Sequence, residues 1–160
     1  MNNLKYILIA VTTFAVDMLF KNRAEKWVNL QEREECGAAK SKFFVRRKHH
    51  NAGFSMNVAS DRQGLVAKLS LLVTVGLIAM FFHTLERPGK AFLKTGAAIQ
   101  LGGACSNTYD RLMRKYVVDY FSFTKPPWLS KIILNIADVA IFIGGFMVLL
   151  DTFTDRKAKA

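Results

Sequence analysis

The stretch LSLLVTVGLIAMFF, residues 69–82, contains no charged residue and no proline. It lies within an apolar block, residues 64–82, whose length as a helix matches a hydrocarbon core of about 30 Å at a rise of about 1.5 Å per residue. Lys68 stands near the start of the stretch, where a long side chain can carry its ammonium to the membrane surface. The stretch therefore predicts a membrane-spanning helix.

Three further apolar blocks cover residues 4–20, 91–106 and 131–150. Polar residues interrupt each block, so a soluble helical bundle stays open as an alternative. The pattern predicts a mostly α-helical membrane protein with four transmembrane helices and a small extracytoplasmic β-sheet. We expect one membrane-embedded domain over residues 1–160, with helices at about residues 4–24, 64–82, 91–109 and 131–151.

The long polar segment at about residues 25–63 is predicted to be extracytoplasmic. Phe43, Phe44 and Val45 within it favour a strand, which predicts the small sheet. The other long connection, residues 111–130, contains the prolines of KPPW and is predicted to be irregular, with the fourth helix beginning near Ser130.

The net charge of +11 comes from basic residues that lie between the apolar blocks, in FFVRRKHH, ERPGK and DRKAKA. Such segments bind anionic headgroups, so membrane lipids are expected partners and nucleic acid is not. His49 and His50 adjoin one basic run and are predicted to be solvated. Basic segments occur on both sides of the predicted bundle, so charge alone leaves its orientation open.

Metal and redox chemistry find no support in the sequence. Cys36 and Cys105 have neither CxxC spacing nor histidines at metal-ligand spacing. We expect no metal and no cofactor.

An aspartate follows the first apolar block where a signal-peptide cleavage site would need small residues, which predicts an uncleaved first helix.

Polar residues gather at one end of the predicted bundle. Four alternating helices place the end of helix 1, the end of helix 3 and the start of helix 4 at the same membrane face. These positions carry Asp17, Lys21, Asn107, Asp110, Arg111, Asn135 and Asp138, and Asp119 lies in the connection between helices 3 and 4. A carboxylate early in an apolar helix is a functional hypothesis by default.

Asp119 and Asp138 are the candidate catalytic pair. Two carboxyl groups that lie close together cannot easily both ionise, so one keeps a proton while the other polarises water. This is the chemistry of aspartic peptide hydrolysis. Counting from Ser130 places Asp138 about 12 Å below the start of helix 4, beneath the headgroups but within reach of water.

Several of these residues also have structural explanations. Asp110 with Arg111 predicts a buried ion pair, and Asp17 with Lys21 predicts a pair that anchors helix 1. A loop turn would explain Asn51 and Gly53, and close helix packing would explain Gly102 and Gly103.

In order along the chain, five short motifs resemble those of the bacterial lipoprotein signal peptidases (signal peptidase II). They are DMLFK (Asp17, Lys21), NAGFSM (Asn51, Gly53), GGACSNTYDR (residues 102–111), VVDY (Asp119) and NIAD (Asn135, Ala137, Asp138). Each motif is weak alone, but five in this order on four membrane helices form a specific signal. The resemblance implies an intramembrane aspartyl endopeptidase that cuts diacylglyceryl-modified prolipoproteins before the lipidated cysteine, without metal or cofactor.

The resemblance also implies locations and roles. It places the chain in the bacterial inner membrane as a multi-pass monomer, with both termini in the cytoplasm and the site near the extracytoplasmic face. Asp119 and Asp138 match the catalytic pair of the family. Substrate-binding or supporting roles are implied for Asn107, Arg111, Asn135, Asn51, Gly53, Asp17, Lys21, Asp110 and Ala137.

The chain departs from the family pattern at several positions. Ser106 stands where glycine is usual, Met56 stands where an aromatic ring is usual, and the first outer segment is unusually basic. A divergent paralogue with a different membrane substrate, or a noncatalytic four-helix membrane protein, fits the same residues.

Overall fold

The computed structural model describes residues 3–26, 44–54 and 58–159, without the side chains of residues 44–47 and 156–159. Its elements are helices α1 (Leu4–Glu25), α2 (Gln63–Leu85), α3 (Ala91–Met113) and α4 (Ile136–Lys159), strands β1 (Phe44–Asn51) and β2 (Val117–Phe123), and 3₁₀ turns at Ser60–Arg62 and Leu129–Lys131. Cys36 and Met56 lie outside the described residues.

Helix α3 is the centre of the bundle, and α1, α2 and α4 all pack on it. Two consecutive glycines of α3 permit this close approach. A Cβ on Gly102 would lie 2.4 Å from the carbonyl oxygen of Ala10 in α1, and one on Gly103 would lie 2.6 Å from that of Ala137 in α4. The close packing predicted at these glycines is therefore confirmed.

Two described segments, Ser60–Leu85 and Ile136–Asp155, are long and apolar enough to cross a membrane. Few of their residues are buried within the protein, and Leu72 and Phe142 are 68% and 76% exposed. Water is a poor solvent for such a continuous apolar surface, whereas lipid is a good one. Helices α1 and α3 carry more polar residues, and neither meets the same criterion.

The predicted small sheet is present, with β1 and β2 paired antiparallel. The prediction that residues 111–130 are irregular is wrong, because α3 continues to Met113 and β2 follows it. Val117, Val118, Tyr120 and Phe121 favour a strand, and the prolines begin only at position 126. Asp119 therefore lies in a paired strand.

The predicted start of the fourth helix is also wrong, since α4 begins at Ile136. The backbone N–H of Leu134 donates to the carbonyl oxygen of Phe121 at 2.7 Å, and the N–H of Phe121 donates back to Leu134 at 3.0 Å. This pairing holds the chain extended until residue 135. Asp138 is consequently in the first turn of α4, and the depth of about 12 Å below the helix start is incorrect.

A buried lysine stabilises the opposite end of the bundle. Lys94 of α3 is 2% exposed, and its ammonium donates to the carbonyl oxygen of Leu85 at 2.8 Å, at the end of α2. A cation at this place satisfies a helix-terminal carbonyl and the negative end of the helix dipole. Lys94, which interrupts the third apolar block of the sequence, therefore has a structural role.

Candidate active site

Asn135 and Asp138 form a reciprocal cap at the start of α4. The Oδ1 atom of Asn135 accepts a hydrogen bond from the backbone N–H of Asp138 at 2.8 Å. An Oδ2 atom of Asp138 accepts one from the backbone N–H of Asn135 at 3.2 Å. This capping box satisfies two N–H groups that the helix leaves unpaired, and it fixes both side chains.

Asp119 projects from β2 and is 3% exposed. Its Oδ1 atom accepts a hydrogen bond from Asn135 Nδ2 at 2.7 Å, and its Oδ2 atom accepts one from Asn51 Nδ2 at 3.3 Å. The sheet places Asn51 at the end of β1, opposite Val117. The N–H of Gly53 donates to Asn51 Oδ1 at 3.1 Å, so the predicted loop turn also directs the Asn51 amide nitrogen toward Asp119.

Asn107 of α3 holds the second oxygen of Asp138. Its Nδ2 atom donates to Asp138 Oδ1 at 2.8 Å, while its own Oδ1 atom accepts from Lys21 Nζ at 2.8 Å. Because the ammonium can only donate, it requires the amide oxygen on its side and leaves the amide nitrogen for Asp138. Lys21 therefore orients Asn107 toward the carboxylate.

Asp119 and Asp138 line one cleft of about 570 Å³. Asn135 contacts both of them and is fully buried. The cleft is otherwise lined by His49, Asn51, Arg111, Val117, Lys131, Ile132, Ile133, Leu134, Ile141 and Phe142. The two acids predicted from sequence as a pair are thus brought to a common, partly apolar cleft.

The environment of Asp119 favours its protonated form. Burial raises the pKa of Asp119 to about 7, and the negative charge of Asp138 adds to the increase. The hydrogen bonds from Asn51 and Asn135 act in the opposite direction, because they stabilise the ionised carboxylate. Near neutral pH this carboxyl can therefore hold or release a proton.

Asp17 connects α1 to the start of α4. Its carboxylate is fully buried, and it forms the predicted ion pair with Lys21 at 2.8 Å. It also accepts hydrogen bonds from Ser106 Oγ at 2.6 Å, Tyr120 Oη at 2.9 Å and the backbone N–H of Ala137 at 3.1 Å. A carboxylate at a helix N-terminus is favoured by the helix dipole, so Asp17 stabilises the turn that carries Asp138.

The remaining N–H group of this turn is satisfied by Tyr120, whose hydroxyl oxygen accepts from Ile136 at 3.0 Å. Burial and the nearby Asp17 charge raise the pKa of the Tyr120 hydroxyl, which keeps it a donor to Asp17. Every N–H from residue 135 to residue 138 therefore has a side-chain partner. Such complete capping fixes the position of Asp138.

The predicted ion pair between Asp110 and Arg111 is wrong. Asp110 instead pairs with Lys21 at 3.2 Å and with Arg114 at 3.4 Å. Adjacent residues on a helix point in different directions, whereas Arg114 follows Asp110 by one turn. Arg111 donates from Nη2 to the carbonyl oxygen of Gly53 at 3.1 Å, and it reaches the cleft.

His49 and His50 were predicted to be solvated, and both are at least partly exposed, but His49 also lines the cleft. Successive strand residues point to opposite faces, so His49 and Asn51 share the cleft side of β1. His50 points away and contacts Glu25 at 3.1 Å, with 43% of its side chain exposed. Strand alternation applied backwards from Asn51 would have identified His49.

Lys131, Tyr120 and Ser106 are further site residues that sequence reasoning missed as functional positions. Lys131 lines the cleft, and Tyr120 and Ser106 hold Asp17. Ser106, where the resemblance leads one to expect glycine, also accepts from Lys21 Nζ at 3.1 Å. The departure therefore adds a polar contact inside the buried ion-pair cluster.

The fold and the site define a helical membrane protein with an acid-lined cleft at one end of its bundle. The sequence profile of the family described as Signal peptidase (SPase) II matches residues 9–154. The chain belongs to the signal peptidase II family, and it is therefore a membrane protease.

Curated relatives extend over nearly the whole chain. The lipoprotein signal peptidase of Brevibacillus brevis is 32% identical over 152 residues, covering 95% of this chain and 97% of the relative. That of Mesorhizobium japonicum is 31% identical over 148 residues, covering 91% and 83%. That of Brucella ovis is 37% identical over 108 residues, covering 65% and 64%.

Two solved bacterial membrane enzymes share the fold. The first superposes with a TM-score of 0.77 at 19% identity, covering 98% of this chain and 92% of the other. The second gives a TM-score of 0.73 at 20% identity, covering 94% of each chain. At these identities the likeness concerns the fold alone.

Proposed function

We propose that this protein removes signal peptides from diacylglyceryl-modified prolipoproteins, by aspartyl chemistry, with cleavage just before the lipidated cysteine. One observation carries the proposal: Asp119 and Asp138 line a single cleft and share Asn135 as a hydrogen-bonding partner. The names of the curated relatives support the substrate class.

The pair performs hydrolysis when it holds one proton. Ionised Asp138 accepts a proton from a water molecule as the water oxygen attacks the scissile carbonyl carbon. Protonated Asp119 donates to the developing oxyanion, which gives a tetrahedral diol. Asp138 then returns its proton to the cysteine nitrogen as the carbon–nitrogen bond breaks, and Asp119 recovers its proton from the diol. One water is consumed, and no metal or cofactor takes part.

Neighbouring residues have supporting roles in this proposal. The amides of Asn51, Asn107 and Asn135 hold the two carboxyl groups in place. Arg111 lies at the cleft, where its guanidinium can bind substrate backbone. The start of α4 is held by Asp17, which accepts from the backbone N–H of Ala137. Asn107 is oriented by Lys21, which also pairs with Asp110.

We also propose that all four helices cross the bacterial inner membrane. Polar residues make α1 and α3 less hydrophobic than the other two helices. Asp17, Lys21 and Asp110 among them are fully buried and form ion pairs with one another inside the bundle, so they do not face lipid. Both termini then lie in the cytoplasm, and the sheet and cleft lie at the extracytoplasmic face. The chain acts as a single-domain monomer with lipids around it.

A cleavage assay on purified protein tests this function. The substrate is a fluorogenic peptide with a diacylglyceryl cysteine, and an otherwise identical peptide with a free cysteine serves as its control. We expect cleavage of the lipidated peptide alone, with mass spectrometry placing the cut before the cysteine. Preferential cleavage of the unlipidated peptide would support the divergent paralogue, and no cleavage by folded protein would support the noncatalytic alternative.

The pH dependence of kcat tests the proton-sharing pair. Because the active form holds one proton and the pKa of Asp119 is raised to about 7, activity should be lost as pH rises through that value. Above it, kcat should fall by about tenfold per pH unit. The measurement is kcat for a substrate without titratable groups, with folding checked at each pH. A kcat that keeps rising beyond about pH 8 would contradict a shared proton.

A further inference from the structure

Three cationic or potentially cationic side chains form part of the cleft wall: His49 of β1, Arg111 of α3 and Lys131 of the 3₁₀ turn. We call these three residues the basic rim. They come from three separate elements, so no single helix or strand explains their convergence. The proposed hydrolysis uses only Arg111, and the other two are left without a role.

No side chain of the basic rim forms a direct ion pair with another described residue. Among the residues that the structure describes, the side chains of His49 and Lys131 have no hydrogen-bonding or ion-pair partner. Arg111 uses Nη1 and Nη2 on carbonyl oxygens, and its buried Nε has no partner. The acid pair with its single proton carries one negative charge, against two permanent cations. The positive charge that remains therefore favours binding of a further negatively charged group in the cleft.

The cleft also has a direction. Ile141 and Phe142 follow Asp138 by about one turn of α4, further from the start of the helix. His49 and Lys131 lie on elements beyond the helix ends. A substrate that crosses the acid pair from the membrane outward thus meets apolar side chains first and the basic rim afterwards.

We propose that the basic rim selects prolipoproteins with an acidic residue directly after the lipidated cysteine. This proposal rests on the proposed function, because it takes the mature side of the cleaved bond to face outward. A carboxylate there would pair with Lys131 and Arg111, while a lysine would be repelled. The basic character of the first outer segment, with Arg46, Arg47 and Lys48 in β1, favours approach of the same substrates.

The proposal is tested with three lipopeptides that differ only in the residue directly after the cysteine, which is Asp, Asn or Lys. For partly exposed charge pairs we expect kcat/KM to be about 3- to 5-fold higher for Asp than for Asn, and about tenfold higher for Asp than for Lys. High salt should reduce these ratios. Lys131→Glu should reverse the preference. The matched control is Lys125→Glu, an exposed lysine of the same connection that does not line the cleft and should leave all three ratios unchanged.

Specific outcomes would overturn the proposal. Equal kcat/KM for the three peptides would do so, as would equal effects of Lys131→Glu and Lys125→Glu. An effect of Lys131→Glu that appears only in micelles with anionic lipid, and equally for all peptides, would show that the rim binds headgroups instead. If no peptide is cleaved, the proposed function fails. Binding of the same labelled peptides to the protein, measured by fluorescence anisotropy, then tests the basic rim by itself. Tighter binding of the Asp peptide than of the Lys peptide supports the proposed selectivity, and equal binding contradicts it.

Discussion

Asp119→Asn and Asp138→Asn should each lower kcat for a diacylglyceryl lipopeptide by about 10³-fold or more, because an amide can neither hold nor accept the transferred proton. The two positions act as a unit, so the double variant should be no more than about tenfold worse than either single variant. The measurement is single-turnover cleavage by purified protein at saturating substrate.

The control for these variants is Asp61→Asn, which makes the same chemical change on a side chain that is 77% exposed. It should retain the activity of the unmodified chain. Asparagine at position 138 keeps one of the two acceptor oxygens, which accept from the backbone N–H of Asn135 and from Asn107 Nδ2, so we expect a loss of about 1–3 kcal/mol in the free energy of unfolding. Thermal unfolding in detergent separates this loss from the catalytic effect. A single variant within about tenfold of normal kcat would contradict the proposed chemistry.

The helices could be predicted because their apolar blocks are local signals. The start of α4 could not, because residues 132–134 are apolar and fit a helix, yet Leu134 pairs with Phe121 across the connection. Strand β2 depends in the same way on its pairing with distant β1. Local composition contains no information about such partners, and tertiary pairing overrides it.

The candidate site shows the same division between local and long-range contacts. The Asp17–Lys21 pair could be predicted, because residues four apart on a helix share a face. The contacts of Lys21 with Asp110 and Asn107 could not, because they require α1 to approach α3 closely at Gly102. Sequence adjacency therefore suggested Arg111 as the partner of Asp110, although its partners are Lys21 of α1 and Arg114, one turn further along α3.

Lys21→Met should lower the free energy of unfolding by about 3–5 kcal/mol, because it leaves the buried carboxylate of Asp17 without a cation and that of Asp110 with Arg114 alone. Asp17 and Asp110 are both fully buried, and both form ion pairs with Lys21. The same variant should reduce kcat, because Asn107 loses the donor that directs its amide nitrogen toward Asp138. Denaturant or thermal unfolding in detergent and lipopeptide cleavage measure the two effects.

Arg23→Met is the matched control, since Arg23 is an exposed cation on the same helix, two residues further along. It should change stability by less than about 0.5 kcal/mol. Adding Asp17→Asn to Lys21→Met removes the charge that Lys21→Met leaves uncompensated, so the double variant should be more stable than Lys21→Met alone. If Lys21→Met costs no more than Arg23→Met, the buried cluster does not hold α1, α3 and α4 together. If it costs stability but leaves kcat unchanged, the orientation of Asn107 does not depend on Lys21.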